Sequence, residues 1–152
     1  MKKIALVASS GGHLFELFSL KEFWKDKDYF WVSFKTKDAE YLLDMDGINV
    51  YWAFYPTNRN IKNLIKNFLL AFKILKKEKP YALMSTGAGV AVPFIICAKL
   101  MKIKTVYLES ITRMKELSLT GRLVYPFVDK LLVQWPELAD KYKKAEFEGR
   151  IL

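Results

Sequence analysis

IALVASSGGHL, residues 4–14, decides the fold. Five apolar residues in a row, without polar alternation, are what a strand buried on both faces requires, and such strands belong to parallel sheets covered by helices. Two serines and two glycines then end the run. From Leu14 the spacing turns helical, with Leu14, Leu17, Phe18 and Lys21 on one side. A buried strand passing through glycines into a helix is the opening unit of an α/β fold. The turn also carries His13, the one histidine of the chain.

Outward from this unit the alternation repeats. Residues 29–34, 48–54, 82–85, 105–108 and 130–133 read as further strands, and residues 14–24, 37–45, 60–79, 90–101 and 136–144 as helices. Asp46-Gly47 is the expected stop of the second helix, and Pro56-Thr57-Asn58 the expected turn and cap before the third. Pro80 closes that helix, and Pro93 fits the first turn of the next. The pattern predicts a Rossmann-like, doubly wound parallel sheet, with the common strand order 3-2-1-4-5 at its centre. No repeat, low-complexity stretch or linker divides residues 1–152, so a single domain is expected.

The chain of 152 residues has 25 Lys and Arg against 16 Asp and Glu, a formal charge of +9. Such an excess points to an anionic partner, whether nucleic acid, an anionic membrane or a phosphorylated substrate; a lysine-rich proteome is the plain alternative. No helix-turn-helix, zinc or aromatic RNP-type pattern is present, so nucleic acid is not expected. Cys97 stands alone in PFIICAKL, which excludes an intrachain disulfide and reads as a core thiol in a reducing cytoplasm. The first apolar run is too short for a secretory signal, and AGVAVPFIICA falls well short of the roughly 20 residues of a spanning helix. The protein is therefore not expected to cross a membrane, which leaves open that it lies on one. No metal and no cofactor are expected.

Ligands of doubly wound sheets bind beyond the carboxyl ends of the strands, where the strand order reverses. The first and fourth strands flank that crevice, so SSGGHL and STGAGVAVP should face each other across it. Both turns feed helix N-termini, which suit a phosphate or diphosphate. The candidate contacts are Ser10, Gly11 and Gly12 in the first turn and Thr86, Gly87, Ala88 and Gly89 in the second. The alternative is that these glycines only permit tight reversals. No Walker loop and no complete G-x-G-x-x-G occurs, which argues against a dehydrogenase. His13 at the mouth of the crevice is suited to take a proton from a sugar hydroxyl, or else it hydrogen-bonds only the loop backbone. Glu109 and Ser110, after the fifth strand, are expected nearby, with Glu109 orienting a hydroxyl or pairing with Arg113.

In IKNLIKNFLLAFKILKKEK, residues 61–79, Ile61, Leu64, Ile65, Phe68, Phe72 and Leu75 share one face and Lys62, Lys66, Lys73 and Lys77 another. Leu69, Leu70 and Ile74 widen the apolar arc beyond one sheet contact. Such a helix can lie among lipid headgroups, with Phe68 and the four lysines as contacts, or it is a sheet-covering helix with a solvated lysine face.

SSGGHLFEL, STGAGVAVP, VYLES and VQWPELADKYKKAEFEGRIL occur in this order and span essentially the whole chain. Together they resemble the accessory subunits of two-part GT-B glycosyltransferases. These are the membrane-recruiting half of the eukaryotic dolichol-linked GlcNAc transferase and its bacterial PssD and CpsF type relatives. The resemblance implies a domain equivalent to the N-terminal half of MurG, which binds a polyprenyl-diphosphate-sugar acceptor. A separate donor-binding subunit would complete a heterodimer, and the chain alone would be inactive. The linker to the second half would start roughly where this chain ends, at Leu152. His13 matches the histidine after the paired glycines of MurG-like enzymes, as general base, and STGAGVAVP matches their second glycine-rich loop. An N-terminal transmembrane anchor like that of the eukaryotic members is absent from the sequence, so peripheral attachment to the cytoplasmic face of the membrane is expected. A tether without substrate contact and a free-standing small Rossmann nucleotide-binding enzyme are the alternatives.

Overall fold

The computed structural model describes residues 2–45 and 47–151. Its elements run β1 (Lys3–Ala8), α1 (Gly12–Ser19), α2 (Lys21–Trp24), β2 (Asp28–Phe34), α3 (Lys37–Leu42) and β3 (Val50–Ala53). They continue with α4 (Ile61–Glu78), β4 (Ala82–Gly87), α5 (Ala91–Leu100), β5 (Lys104–Leu108), α6 (Leu119–Val124), β6 (Lys130–Val133), α7 (Pro136–Lys141) and β7 (Ala145–Phe147). The strands form one sheet in the order β3-β2-β1-β4-β5-β6-β7, every pair parallel. The expected 3-2-1-4-5 is thus its centre, and β1 and β4 flank the switch point.

Alternate residues of β1 serve opposite faces, as a pleated strand dictates. Ala5 and Val7 pack under α4, α5, α6 and α7, whereas Ile4, Leu6 and Ala8 pack under α1, α2 and α3. Helices on both faces bury every β1 residue from Ile4 onward, which is why IALVA shows no polar alternation. Cys97 is a core thiol on the first of these faces, and burial pushes its ionisation up. On the other face the helices cover mainly the β1–β3 half. Beside them an apolar groove of about 420 Å³, lined by Phe23, Met84, Val106 and Leu132, runs under the tail residues 148–151.

Several boundaries differ from the sequence reading. The helix expected over 14–24 breaks at Leu20, because the Leu17 carbonyl accepts from Leu20 N at 3.2 Å and from the Trp24 indole at 3.0 Å. Asn60, rather than the 56–58 turn, caps α4, its side chain accepting from Asn63 N at 3.0 Å. Asp46, half of the expected helix stop, lies outside the described residues. The expected final helix ends at Lys141, and β7 follows as the sheet edge. Between β5 and β6 stands α6, capped by the Ser118 hydroxyl, which accepts from Gly121 N at 3.0 Å.

Candidate functional site

The two glycine-rich turns are laced together at the ends of β1 and β4. Ser9 N donates to the Gly87 carbonyl at 2.7 Å, and Ala88 N donates to the Ser9 hydroxyl at 3.0 Å. The amide of Gly11 donates to the Asp38 carboxylate at 2.9 Å. That contact and the Thr36 hydroxyl, the larger influence, hold Asp38 below the usual carboxylate range. Helix α1 then starts with no side-chain cap. The N–H groups of its first turn, at Gly12, His13 and Leu14, have no acceptor within the helix. The second turn spends more of its donors internally: Gly87 N on Ser85 Oγ, Ala91 N on Ala88 O and Val92 N on Gly89 O.

His13 is pinned by Thr86. Its Nδ1 lies 3.0 Å from the Thr86 carbonyl, and the Thr86 hydroxyl donates back to the His13 carbonyl. A carbonyl only accepts, so Nδ1 carries the hydrogen and the neutral ring keeps Nε2 as its basic nitrogen. The histidine therefore does hydrogen-bond the loop backbone, and the bond selects the tautomer a general base needs.

Gly12, His13 and Glu16 form one wall of a cleft of about 490 Å³. Ala88, Tyr107, Glu109, Ser110, Thr112 and Arg113 line it further, and Ser118, Leu119 and Thr120 close it. Of the expected site residues, Gly12, His13, Ala88, Glu109 and Ser110 line this cleft; Ser10, Gly11, Thr86, Gly87 and Gly89 do not. Thr86 and Gly87 are buried behind it.

Glu109 does not pair with Arg113. It is almost wholly buried, and its carboxylate accepts from Ser110 N at 2.9 Å, Ser118 N at 2.8 Å and Ser118 Oγ at 2.9 Å. These three donors satisfy the charge and tie the start of α6 to the end of β5. Arg113 is exposed on the cleft and, among the described residues, makes no ion pair. Burial pushes the Tyr107 phenol well up, and the neighbouring Glu109 adds to it. Burial also pushes Glu16 up, against the opposing pull of His13, Ser110 and Gln134. Glu16, Tyr107, Thr112 and the α6 residues were not among the expected site residues. Glu16 had a signal, since it stands one turn after His13 on the same side of a helix.

Helix α4 turns a different face inward from the one its apolar residues mark. Asn67, Ala71, Ile74 and Leu75 are buried, and Phe68 is half-buried against the core. Asn67 belongs inside because its amide exchanges hydrogen bonds with the Phe54 backbone, at 2.8 and 2.9 Å. Ile61, Leu64, Ile65, Leu69 and Phe72 are therefore exposed, beside exposed Lys62, Lys66, Lys73 and Lys77. Among the described residues no helix is long and apolar enough to cross a membrane.

A parallel sheet of this order, with two glycine-rich turns meeting at its switch point, defines a Rossmann-like domain of the kind found in GT-B proteins. Its fold is similar to that of Acinetobacter baumannii MurG, with a TM-score of 0.76 and 19% identity, covering 90% of this chain and 43% of that one. It is also similar to UDP-GlcNAc 2-epimerase from Methanocaldococcus jannaschii, with a TM-score of 0.75 and 13% identity, covering 95% and 45%. The chain thus spans less than half of either structure.

Residues 56–151 match the family described as oligosaccharide biosynthesis protein Alg14 like, and the chain belongs to that family. It is 29% identical to the human UDP-N-acetylglucosamine transferase subunit ALG14, over 98% of this chain and 82% of that protein. Against the Schizosaccharomyces pombe protein of the same description the identity is 45% over 75 residues, 46% of this chain and 36% of that one. The second glycine-rich turn, VYLES and all but the last residue of the tail fall within residues 56–151, while SSGGHLFEL lies before them.

Proposed function

We propose that the chain is the acceptor-binding subunit of a two-subunit UDP-sugar glycosyltransferase making polysaccharide or lipid-linked oligosaccharide. In this reading residues 1–152 are one Rossmann-like acceptor domain, held peripherally at the cytoplasmic face of a membrane. The cleft takes a polyprenyl-diphosphate-sugar, and a donor-binding partner supplies the nucleotide sugar. The observation that carries it is the cleft at the β1/β4 switch point. There an uncapped helix start, the basic nitrogen of His13 and Arg113, without an ion pair among the described residues, meet. The uncapped N–H groups and Arg113 suit an acceptor diphosphate. The apolar groove beside the tail supports a partner, since a parallel sheet needs cover on both faces.

In the transfer step the acceptor hydroxyl oxygen bonds to the anomeric carbon of the donor sugar. The bond from that carbon to the UDP oxygen breaks, and UDP leaves with the electron pair. The hydroxyl proton passes to His13 Nε2, while the Thr86 carbonyl holds Nδ1–H. The test is reconstitution in vesicles containing a polyprenyl-diphosphate-sugar. Turnover is expected only when this chain and a donor-binding partner are both present. Robust transfer by the chain alone would overturn the reading. His13→Ala should lower kcat by about 10²-fold with the partner still bound. Unchanged kcat would make His13 a structural loop residue and place the base elsewhere.

A further inference from the structure

Three turns of structure converge on a carboxylate that the proposed transfer step leaves unused. Glu16 follows His13 by one helical turn, and both side chains line the cleft. Its two oxygens are steadied from other elements. The Ser110 hydroxyl, beyond β5, donates to Oε1, and the Gln134 amide, at the end of β6, donates to Oε2, each at 3.4 Å. Gln134 is itself held, its Nε2 donating to the Glu109 carbonyl at 3.0 Å and its Oε1 accepting from Ile151 N at 2.8 Å. Among the described residues Glu16 makes no ion pair.

A half-buried carboxylate with long hydrogen bonds and no cation is costly to keep charged. We propose that Glu16 is the positioning partner of His13, its carboxylate stabilising the imidazolium that forms when His13 takes the acceptor proton. This rests on the acceptor-subunit reading for its role in transfer, though not for the charge coupling itself. The proton moves from the hydroxyl oxygen to Nε2, Glu16 stays ionised throughout, and the proton leaves His13 to water after UDP departs. The other charged or titratable groups around Glu16 are Glu109 at the end of β5, Tyr107 on β5 and Arg113 in the loop beyond. The Glu109 carboxylate is already engaged by three donors from Ser110 and Ser118 rather than by His13. Arg113 is exposed, where water screens it. His13, one helical turn away on the same cleft wall, is therefore the group whose protonated form Glu16 is placed to answer.

Coupling of this kind is reciprocal, so it is readable from Glu16 without any turnover. Glutamate-labelled full-length chain is titrated by carbon NMR, the Glu16 carboxyl being assigned by its loss in Glu16→Gln. Protonated His13 pulls Glu16 toward ionisation. His13→Gln, whose amide can still donate to the Thr86 carbonyl, should therefore raise the Glu16 midpoint, by on the order of one pH unit. An unmoved midpoint overturns the pairing, whether or not a transferase can be assembled. In the assembled complex, Glu16→Gln should lower kcat at least about tenfold with acceptor KM changed less than about threefold, and Glu16→Asp should recover part of it. If Glu16→Gln turns over like the parent protein, the positioning role is wrong while the acceptor-subunit reading stands. If no complex turns over at all, that reading fails and the midpoint alone decides the pairing.

Discussion

Gly12 on the cleft and Gly87 buried behind it are glycines for different physical reasons. A Cβ built on Gly12 finds nothing within 4 Å. Gly87 has φ +106°, and a Cβ there would sit 3.1 Å from the Tyr107 hydroxyl and 3.2 Å from His13 Nδ1. Gly87→Ala is therefore expected to destabilise the protein by roughly 1–3 kcal/mol in urea unfolding, from left-handed strain and crowding of His13. Gly12→Ala should change stability by less than about 0.5 kcal/mol. In the assembled transferase Gly12→Ala should raise acceptor KM and leave donor KM nearly unchanged, since only a ligand would meet the new methyl. An unchanged acceptor KM would remove the first turn from the diphosphate site. The glycines were legible as turns because a buried apolar run ended on them. That Gly87 is needed by Tyr107 and His13 was not legible, because those contacts join residues far apart in the chain.

Elements were legible where one physical demand dominated the sequence. The strands buried on both faces showed as apolar runs, and β6 spans the expected residues 130–133. The short α6, with Gly121 inside it, and the three-residue β7 carry too little periodicity to read. The inward face of α4 was not legible because Asn67 looks polar until the Phe54 backbone is beside it. The other end of α4 carries a sharper constraint. Glu78 accepts from Lys3 Nζ at 2.7 Å and from the Tyr51 hydroxyl at 2.5 Å, tying α4 to β1 and β3. Burial pushes Glu78 up, but Lys3 and Tyr51 together outweigh it and hold the carboxyl below its usual range. Glu78→Gln should cost roughly 2 kcal/mol at neutral pH. A lowered carboxylate stabilises the fold above its unfolded value and loses that contribution as pH falls through the folded one. The unfolding curves of parent and variant should thus converge below about pH 4. Tyr51 works in the opposite direction. Burial, with Glu78, pushes its phenol up to about 12, so its contribution is present below the ordinary phenol range and is lost as pH rises through about 12. Parallel curves across the acid range would remove Glu78 from the account.

At the scale of the whole molecule, the +9 charge and the uncovered face of α4 point the same way. Ile61 and Leu69 are 73% and 69% exposed, with Ile65 between them and Phe72 one turn beyond on the same stripe. Lys62, Lys66, Lys73 and Lys77 flank that stripe, where an interfacial helix places its cations against lipid phosphates. The placement suits the cleft as well. Thr57, in the loop before α4, is packed so closely on Gly89 that a Cβ there would collide with it, so the start of α4 borders the second glycine-rich turn. Each lysine near an anionic surface contributes about 1 kcal/mol, so the Lys62, Lys66, Lys73 and Lys77→Glu variant should abolish sedimentation with phosphatidylserine vesicles. Raising salt to 1 M should weaken the parent protein, because the screening length falls to about 3 Å. Ile65→Asn with Leu69→Asn removes only the apolar contact. It should reduce binding by a factor that salt leaves nearly unchanged, because apolar burial is not a screened interaction. Parent binding that ignored both the charge reversal and the asparagines would show that another face of the molecule meets the membrane.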